Sequence, residues 1–127
     1  MLVSIVIPVF NETKTIFEIL KRINKIKGFK KEIIIINDGS TDDTKEIIKK
    51  RCSNLYSKFI TYKENRGKGY ACRKGLMQVK GQIVIIQDAD LEYDPNDYAK
   101  LIEPIIKKKS KIVYGSRVLK GGKRIRP

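Results

Sequence analysis

The sequence of 127 residues contains no histidine, and its 14 acidic residues are outnumbered by 28 lysines and arginines. Acid–base chemistry would therefore fall to carboxylates, and none occurs after Glu103. Glycine (9) and proline (4) are too sparse for a low-complexity chain, and the regular apolar runs exclude disorder. We expect one folded domain with a single core.

Cysteine and membrane-spanning stretches are also scarce. Cys52 and Cys72 lie far apart without the spacing of a metal site, which predicts structural thiols in a reducing cytosol. The apolar opening from Leu2 to Phe10 lacks a basic leader and is interrupted by Pro8, so it predicts neither a signal peptide nor a membrane span. A cytoplasmic protein, soluble or peripherally attached to a membrane, is expected.

The net charge of +14 favours a polyanionic partner such as nucleic acid, a phosphorylated metabolite or an anionic membrane surface. Nucleic acid is disfavoured, because no aromatic platform or nucleic-acid motif accompanies the charge. All charged residues after Glu103 are basic. They are Lys107, Lys108, Lys109, Lys111, Arg117, Lys120, Lys123, Arg124 and Arg126.

Short β-branched runs alternate with amphipathic stretches, the pattern of βα units and a mainly parallel sheet. Runs such as residues 33–36 are apolar throughout, which is typical of strands covered by helices on both faces. The predicted strands are Leu2 to Val9, Glu32 to Asn37, Phe59 to Lys63, Gln82 to Gln87 and Ile112 to Tyr114.

Four helices are predicted to connect these strands, from their apolar periodicity and their capping residues. Residues 1–118 form the predicted domain, and residues 119–127 lack periodicity and are predicted to be a basic tail or loop. The first helix has an apolar stripe from Ile16 to Ile26 and ends at Gly28, and the second starts at Ser40 or Thr41. The third runs from about Gly69 to Val79. The fourth starts at Asp94-Pro95 and is predicted to bury Tyr98, Leu101, Ile102 and Ile105.

Polar residues follow each of the first four strands. Ligands of open parallel α/β sheets bind beyond the carboxyl ends of the strands, so these four loops are expected to converge on one edge. The loops contain Pro8, Asn11 and Glu12; Asp38-Gly39-Ser40; Asn65-Arg66-Gly67-Lys68-Gly69; and Asp88-Ala89-Asp90.

Asp88-Ala89-Asp90 places two carboxylates directly after a buried strand. An extended backbone would aim one at a ribose and the other at a divalent cation that bridges phosphates. A lone pair of this kind more often caps a turn, but Glu92 continues the acidic cluster and could add an oxygen ligand. The predicted metal ligands are Asp88, Asp90 and Glu92.

Three other positions suit nucleotide binding. Asp38 could accept a hydrogen bond from a base N–H, although a tight βα turn explains it equally well. The loop of residues 65–69 joins glycines and cations to a helix start, a combination that favours an anion site but lacks P-loop spacing. The planar guanidinium of Arg117 suits phosphate, and a solvated loop arginine is equally consistent.

In order and spacing these motifs resemble glycosyltransferase family 2 over nearly all of the chain, and within it the polyprenyl-phosphate (dolichol-phosphate) mannosyl- and glucosyltransferases. The resemblance implies a GT-A fold, a Rossmann-like nucleotide-sugar-binding domain. Such enzymes continue past the Gly-Ser-Arg strand, so the domain is expected to be incomplete at its C-terminal end. The matching segments are Ser4 to Glu12, Asn37 to Thr44, Asn65 to Gly69, Gln87 to Glu92 and Gly115 to Arg117.

The resemblance also implies roles for single residues. Pro8, Asn11, Glu12 and Asp38 would hold the base and ribose; Lys68, Gly69 and Ala89 would lie near the donor; Asp88 would contact the nucleoside; Asp90 with Glu92 would bind Mg2+ or Mn2+; and Arg117 would face an acceptor phosphate. Asp90 and Arg117 are the catalytic candidates.

The implied reaction is inverting transfer of a hexose from a GDP-mannose or UDP-glucose type of donor, with the metal neutralising the leaving diphosphate. A hydroxyl acceptor needs a base, whereas a dolichyl or undecaprenyl phosphate is already ionised, which favours the lipid phosphate in a chain without histidine. A base supplied by residues outside this sequence would explain the same gap. The basic C-terminal end suits the cytoplasmic membrane face. A non-catalytic or split nucleotide-sugar-binding domain is the alternative, and a homo-oligomer is left open.

Overall fold

The computed structural model describes residues 2–90, 95, 98, 112–114, 118–120 and 123–125. Within these residues one sheet has the strand order β3-β2-β1-β4-β5-β6-β7. The first five strands are parallel to one another, and β6 and β7 add an antiparallel edge beside β5. The strands are β1 (Leu2–Val9), β2 (Lys30–Asp38), β3 (Lys58–Tyr62), β4 (Ile83–Ile86), β5 (Ile112–Tyr114), β6 (Val118–Lys120) and β7 (Lys123–Ile125).

Alternate side chains of the central strands enter two separate cores. In β2, Ile33 and Ile35 pack on one face of the sheet, whereas Ile34 and Ile36 pack on the other. Each of these four side chains is at most 4% exposed. The prediction of a mainly parallel sheet with helices on both faces is therefore confirmed.

Helices α1 (Ile16–Lys25) and α2 (Thr44–Arg51) cover one face, and α3 (Lys68–Leu76) covers the other. The predicted apolar stripe of α1 is buried at Ile16, Ile19, Leu20 and Ile23. Helix α3 lies close to the sheet because Gly75 has no side chain: a Cβ there would come within 2.4 Å of Val6 Cγ1.

The predicted start of the second helix is wrong, because α2 begins at Thr44 and not at Ser40 or Thr41. The Ser40 hydroxyl and the Thr41 amide instead bond to the loop after β1. The Asp42 carboxylate accepts the Thr44 amide at 3.0 Å, which fixes the turn before the helix. The third helix likewise ends at Leu76, short of the predicted Val79.

The prediction of a loop for residues 119–127 is wrong where β6 and β7 pair as an antiparallel hairpin. Each strand has only three residues, which is too few to show a period in the sequence. The domain boundary at residue 118 stays a prediction.

Of the predicted fourth helix, the described residues are Pro95 and Tyr98. Tyr98 is helical and fully buried, as predicted, whereas Leu101, Ile102 and Ile105 lie outside the described residues. In the part of the chain that the structure describes, no helix has the length and apolar character needed to cross a membrane.

Candidate functional site

A cavity of about 430 Å3 opens at the carboxyl end of the sheet. Its lining residues follow β1, β2, β3 and β4, and the strand order reverses at β1, the position where open α/β sheets form a ligand crevice. Pockets for small ligands measure roughly 300–1,000 Å3, which places this cavity in the range for a nucleotide. The lining residues are Pro8, Val9, Phe10, Glu12, Asp38, Asn65, Gly67, Lys68, Asp88, Ala89 and Asp90.

The structure thus brings together residues from all four loops that the sequence singled out. Of the predicted site residues, Asn11 and Gly69 are not among the lining residues. Glu92 and Arg117 lie outside the described residues, so their positions stay predictions.

Four lining residues were missing from the predicted site: Val9, Phe10, Asn65 and Gly67. Asn65 and Gly67 belong to the glycine-rich loop already identified, so the motif could have indicated them. Phe10 is 43% exposed. The sequence feature that could have indicated it is a large apolar residue directly before the polar pair Asn11-Glu12.

Asp38 lies at the end of β2 and is only 3% exposed. Its Oδ1 accepts the Tyr62 hydroxyl at 2.7 Å and the Arg66 amide at 2.9 Å. Its Oδ2 accepts the Gly67 amide at 2.9 Å and the Asn65 side-chain amide at 3.0 Å. These bonds compensate for burying the carboxylate and join the end of β2 to the segment between β3 and α3.

Gly39 allows this segment to approach the end of β2. Its φ of +66° lies in the left-handed region, and a Cβ there would lie 2.3 Å from the Asn65 amide nitrogen. The obstacle is backbone, which cannot swing aside as a side chain could. A glycine after Asp38 is therefore required by space as well as by conformation.

The loop after β1 is tied to the loop after β2 through Asn11. Asn11 has a φ of +54°, a conformation that asparagine tolerates better than most residues. Its side-chain oxygen accepts the Thr41 amide at 2.8 Å, and its own amide donates to the Ser40 hydroxyl at 3.0 Å. Asn11 therefore shapes the cavity from outside its lining.

Glu12 connects the same loop to the end of β4. Its amide donates to the Thr44 hydroxyl at 3.0 Å, and its carboxylate is within 3.0 Å of the Thr15 hydroxyl. That hydroxyl also lies within hydrogen-bond distance of the Ala89 carbonyl oxygen. Thr15 therefore links Glu12 to the peptide between the two aspartates.

Asp88 is bonded to α3 through its side chain and to the core through its backbone. Its carboxylate accepts a hydrogen bond from the Lys68 ammonium, at the first residue of α3. Its carbonyl oxygen accepts the Gln87 side-chain amide at 3.0 Å, and the Gln87 oxygen accepts the Tyr98 hydroxyl at 2.6 Å. Gln87 and Tyr98 are fully buried, so the peptide at Asp88 is supported from the core.

Cys72 lies one turn along α3 from Lys68 and is 6% exposed. Burial raises the pKa of its thiol; Asp88 raises it further, whereas Lys68 and Arg73 act in the opposite direction. The neutral thiol therefore packs in the α3 core, in line with the structural role predicted for it.

The carboxylates of the cavity suit a hard divalent cation. Among the residues that the structure describes, no group of three or more His, Cys, Asp or Glu side chains could hold a metal ion. Mg2+ is commonly held by one or two carboxylates together with substrate phosphates and water. Asp88 and Asp90 line one cavity and fit that arrangement.

The cationic side of the cavity is the start of α3. Gly67 precedes the helix with a φ of +95°, and both Gly67 and Lys68 line the cavity. The first amides of a helix point outward and favour an anion, and the Lys68 charge adds to that preference. Because Asp88 and Asp90 line the same cavity, this arrangement suits a diphosphate with its cation.

Strand order and cavity position together define an α/β domain of the doubly wound kind, with a ligand crevice at the carboxyl end of its sheet. Residues 4–126 match the family described as Glycosyl transferase family 2, and the chain belongs to this family. The family recognised from the sequence motifs is therefore confirmed.

Two curated relatives have names that specify a lipid phosphate. The dolichol-phosphate mannosyltransferase of Pyrococcus furiosus is 37% identical over 97% of this chain and 35% of its own length. The undecaprenyl-phosphate 4-deoxy-4-formamido-L-arabinose transferase of Pseudomonas savastanoi is 38% identical over 79% of this chain and 31% of its own length. The chain thus spans about a third of the length of these relatives.

Among solved structures, the mannosyltransferase PcManGT of Pyrobaculum calidifontis, in complex with GDP-Man and Mn2+, superposes with a TM-score of 0.70. It is 26% identical, and the match covers 81% of this chain and 32% of that one. The structural neighbours are GT-A enzymes, which confirms the predicted fold.

Proposed function

We propose that this chain forms the nucleotide-sugar site of a metal-dependent glycosyltransferase that transfers a hexose to a polyprenyl phosphate. The observation that carries the proposal is that Asp88 and Asp90 line the same cavity as Lys68, the first residue of α3, which is paired with Asp88. Acidic and cationic groups side by side suit a diphosphate with its divalent cation better than either ion alone.

The nucleoside end is assigned to the loops after β1 and β2. Pro8, Glu12 and Asp38 line the cavity there, and Asn11 fixes the shape of the loop that carries Pro8 and Glu12. In this assignment Glu12 and Asp38 provide carboxylates on the side of the base and ribose, away from the phosphates. The proposed donor is of the GDP-mannose or the UDP-glucose type.

The diphosphate end is assigned to Lys68, Gly69, Asp88, Ala89 and Asp90. A bound Mg2+ or Mn2+ would supply neutralisation of the negative charge that grows on the leaving diphosphate. Asp90 and Asp88 would hold that cation, and Glu92 is proposed as an additional ligand. Lys68 and the first amides of α3 would hold phosphate oxygens from the opposite side.

A lipid phosphate is the proposed acceptor, supported by the names of the two curated relatives. One oxygen of the ionised phosphate attacks the anomeric carbon, the bond from that carbon to the diphosphate breaks, and the configuration inverts. No proton has to be removed from the acceptor, so no general base is needed. Arg117 is proposed to pair with the acceptor phosphate.

A transfer assay tests this proposal. Labelled GDP-mannose or UDP-glucose is incubated with the protein, Mn2+ and undecaprenyl or dolichyl phosphate, and the lipid fraction is counted. Metal-dependent label in the lipid is expected. Nucleotide binding without transfer would restrict the function to nucleotide-sugar binding, and the absence of both would refute the proposal.

Membrane attachment at the cytoplasmic face is a separate part of the proposal, supported by the exclusively basic charge after Glu103. Each lysine or arginine near an anionic surface contributes about 1 kcal/mol. Co-sedimentation with phosphatidylglycerol vesicles is expected to exceed that with phosphatidylcholine vesicles and to decrease with salt. Equal binding to both at moderate salt would remove this part.

A further inference from the structure

Gln87 is a buried polar residue at the end of a wholly apolar strand. Residues 83–86 of β4 are all isoleucine or valine, and Gln87 follows them with its side chain fully buried. Its backbone amide donates to the Val6 carbonyl oxygen at 2.9 Å, so Gln87 extends the contact between β1 and β4 by one residue. A buried side-chain amide is costly unless it is hydrogen-bonded. The partners of Gln87 therefore show what this side chain holds in place.

The Gln87 side chain bridges a core tyrosine and the first residue of the Asp88-Ala89-Asp90 loop. Its Nε2 donates to the Asp88 carbonyl oxygen at 3.0 Å, and its Oε1 accepts the Tyr98 hydroxyl at 2.6 Å. A carbonyl oxygen can only accept, so the Gln87 NH2 group has to face Asp88 and the Gln87 oxygen faces Tyr98. Tyr98 therefore stabilises the amide orientation that supports Asp88.

The next carbonyl group of the same loop is held as well. The Thr15 hydroxyl, directly before α1, lies within hydrogen-bond distance of the Ala89 carbonyl oxygen. Ala89 is itself only 4% exposed. Two successive carbonyl groups of the loop therefore have side-chain donors within the protein. With the backbone held at Asp88 and Ala89, the position of the Asp88 carboxylate depends mainly on the rotation of its own side chain.

We propose that Gln87 and Tyr98 are positioning residues for the metal site. Tyr98 orients the Gln87 amide, and Gln87 holds the Asp88 peptide, so that the Asp88 carboxylate is kept at the cavity where the cation binds. Gln87 and Tyr98 do not line the cavity themselves, and they act through Asp88. The inference rests on the proposed function, which assigns the cation to Asp88 and Asp90.

Two conservative variants test the two hydrogen bonds separately. Tyr98→Phe removes one hydroxyl and keeps the buried ring, and Gln87→Leu removes the amide and keeps much of the volume. Hydrogen-bond partners behind metal ligands alter metal affinity by roughly 10- to 100-fold, so we expect about tenfold weaker Mn2+ binding for each variant. Electron paramagnetic resonance of free Mn2+ measures this affinity. Wild-type affinity in either variant would overturn the inference.

The double variant tests whether Tyr98 acts through Gln87. If it does, loss of the hydroxyl has no further effect once the amide is gone. Gln87→Leu combined with Tyr98→Phe should then bind Mn2+ as Gln87→Leu alone does. Losses that multiply would mean that Tyr98 acts independently of Gln87, and this result would contradict the positioning role proposed for the pair.

Tyr56→Phe is the matched control for loss of a tyrosine hydroxyl. Tyr56 packs against the same hydrophobic core as Tyr98 and does not line the cavity. This variant is expected to bind Mn2+ as the wild type does. A loss equal to that of Tyr98→Phe would assign the effect to the core in general and contradict a specific role of the bond to Gln87.

Nuclear magnetic resonance without metal separates this inference from the proposed function. The carbon-13 shift of a backbone carbonyl responds to hydrogen bonding, so the Asp88 signal is expected to change in Tyr98→Phe and in Gln87→Leu. The signal of Ile33 in β2 should stay as in the wild type. An unchanged Asp88 signal in either variant would overturn the inference. Failure of the wild type to bind Mn2+ would instead refute the proposed metal site, and the carbonyl signal would still decide whether the pair holds Asp88.

Discussion

The Lys68 ammonium is paired with the Asp88 carboxylate across the cavity, so the start of α3 is joined to the loop after β4. The Asp88 side chain is 28% exposed and that of Lys68 is 56% exposed, so both remain within reach of solvent and of a ligand. Lys68 therefore occupies one carboxylate of the proposed cation site. A phosphate group that attracts Lys68 would release Asp88 for the cation.

This pairing predicts opposite effects of Lys68→Gln on two ligands. Without nucleotide, Mn2+ should bind the variant about two- to fivefold more tightly, because a competing cation has been removed; the exposed pair limits the gain. With Mn2+ present, UDP or GDP should bind more weakly, because a phosphate contact has been lost. Electron paramagnetic resonance of free Mn2+ and nucleotide calorimetry measure the two effects.

Lys74→Gln provides the control for charge alone. Lys74 lies on the same helix, with its ammonium 5.5 Å from the centroid of the Tyr70 ring, and is not among the cavity-lining residues. Equal gains in Mn2+ affinity for the two variants would show that net charge, and not the pair with Asp88, governs the effect.

Gly39→Ala is predicted to destabilise the protein strongly. The added Cβ would lie 2.3 Å from the Asn65 amide nitrogen and 2.5 Å from the Glu64 carbonyl carbon, so backbone must move. We expect a loss of more than about 3 kcal/mol in the free energy of unfolding, measured by urea denaturation.

Gly28→Ala is the control that separates the backbone clash at Gly39 from the conformational cost of a positive φ. Gly28 has a φ of +106°, but nothing lies within 4 Å of a Cβ built there. Its replacement should cost only about 1–2 kcal/mol of backbone strain. Equal losses at the two glycines would mean that the segment of residues 62–67 does not constrain Gly39.

Neither cysteine is predicted to react in the native protein. Cys52 and Cys72 are both free and buried, and burial raises the pKa of each thiol. Since the thiolate is the reactive form, a raised pKa leaves less of it at mildly alkaline pH than in an ordinary cysteine. Labelling with a thiol reagent should be slow in buffer and complete in concentrated urea. Rapid labelling of Cys72 in the native protein would contradict its burial between α3 and the sheet.

The sequence predicts the central sheet well because burial on both faces leaves continuous apolar runs, as in residues 33–36. The predicted start of α2 was wrong, and the error has a physical cause. Ser40 and Thr41 are good capping residues, but their polar groups bond to Asn11, and that partner is set by the fold. The β6–β7 hairpin was missed because strands of three residues show no period.

The four loops that form the candidate site were predictable, whereas the hydrogen bonds within it were not. Ligand binding beyond the carboxyl ends of parallel strands places the four loops together, whatever their exact structure. The four hydrogen-bond donors to Asp38 come from residues 62–67, which are distant from it in sequence, so the sequence alone did not predict these bonds.

Calorimetry of GDP-mannose and UDP-glucose with and without Mn2+, on the wild type and on Asp90→Asn, most directly tests whether the Asp88–Asp90 edge binds a metal-bound nucleotide sugar. Asp43→Asn is the control, since Asp43 is an exposed aspartate at the start of α2 without a side-chain capping bond. Binding of one nucleotide sugar that requires Mn2+, is lost in Asp90→Asn and is retained in Asp43→Asn is the predicted result. Binding that is equally strong without metal, or unchanged in Asp90→Asn, would contradict it.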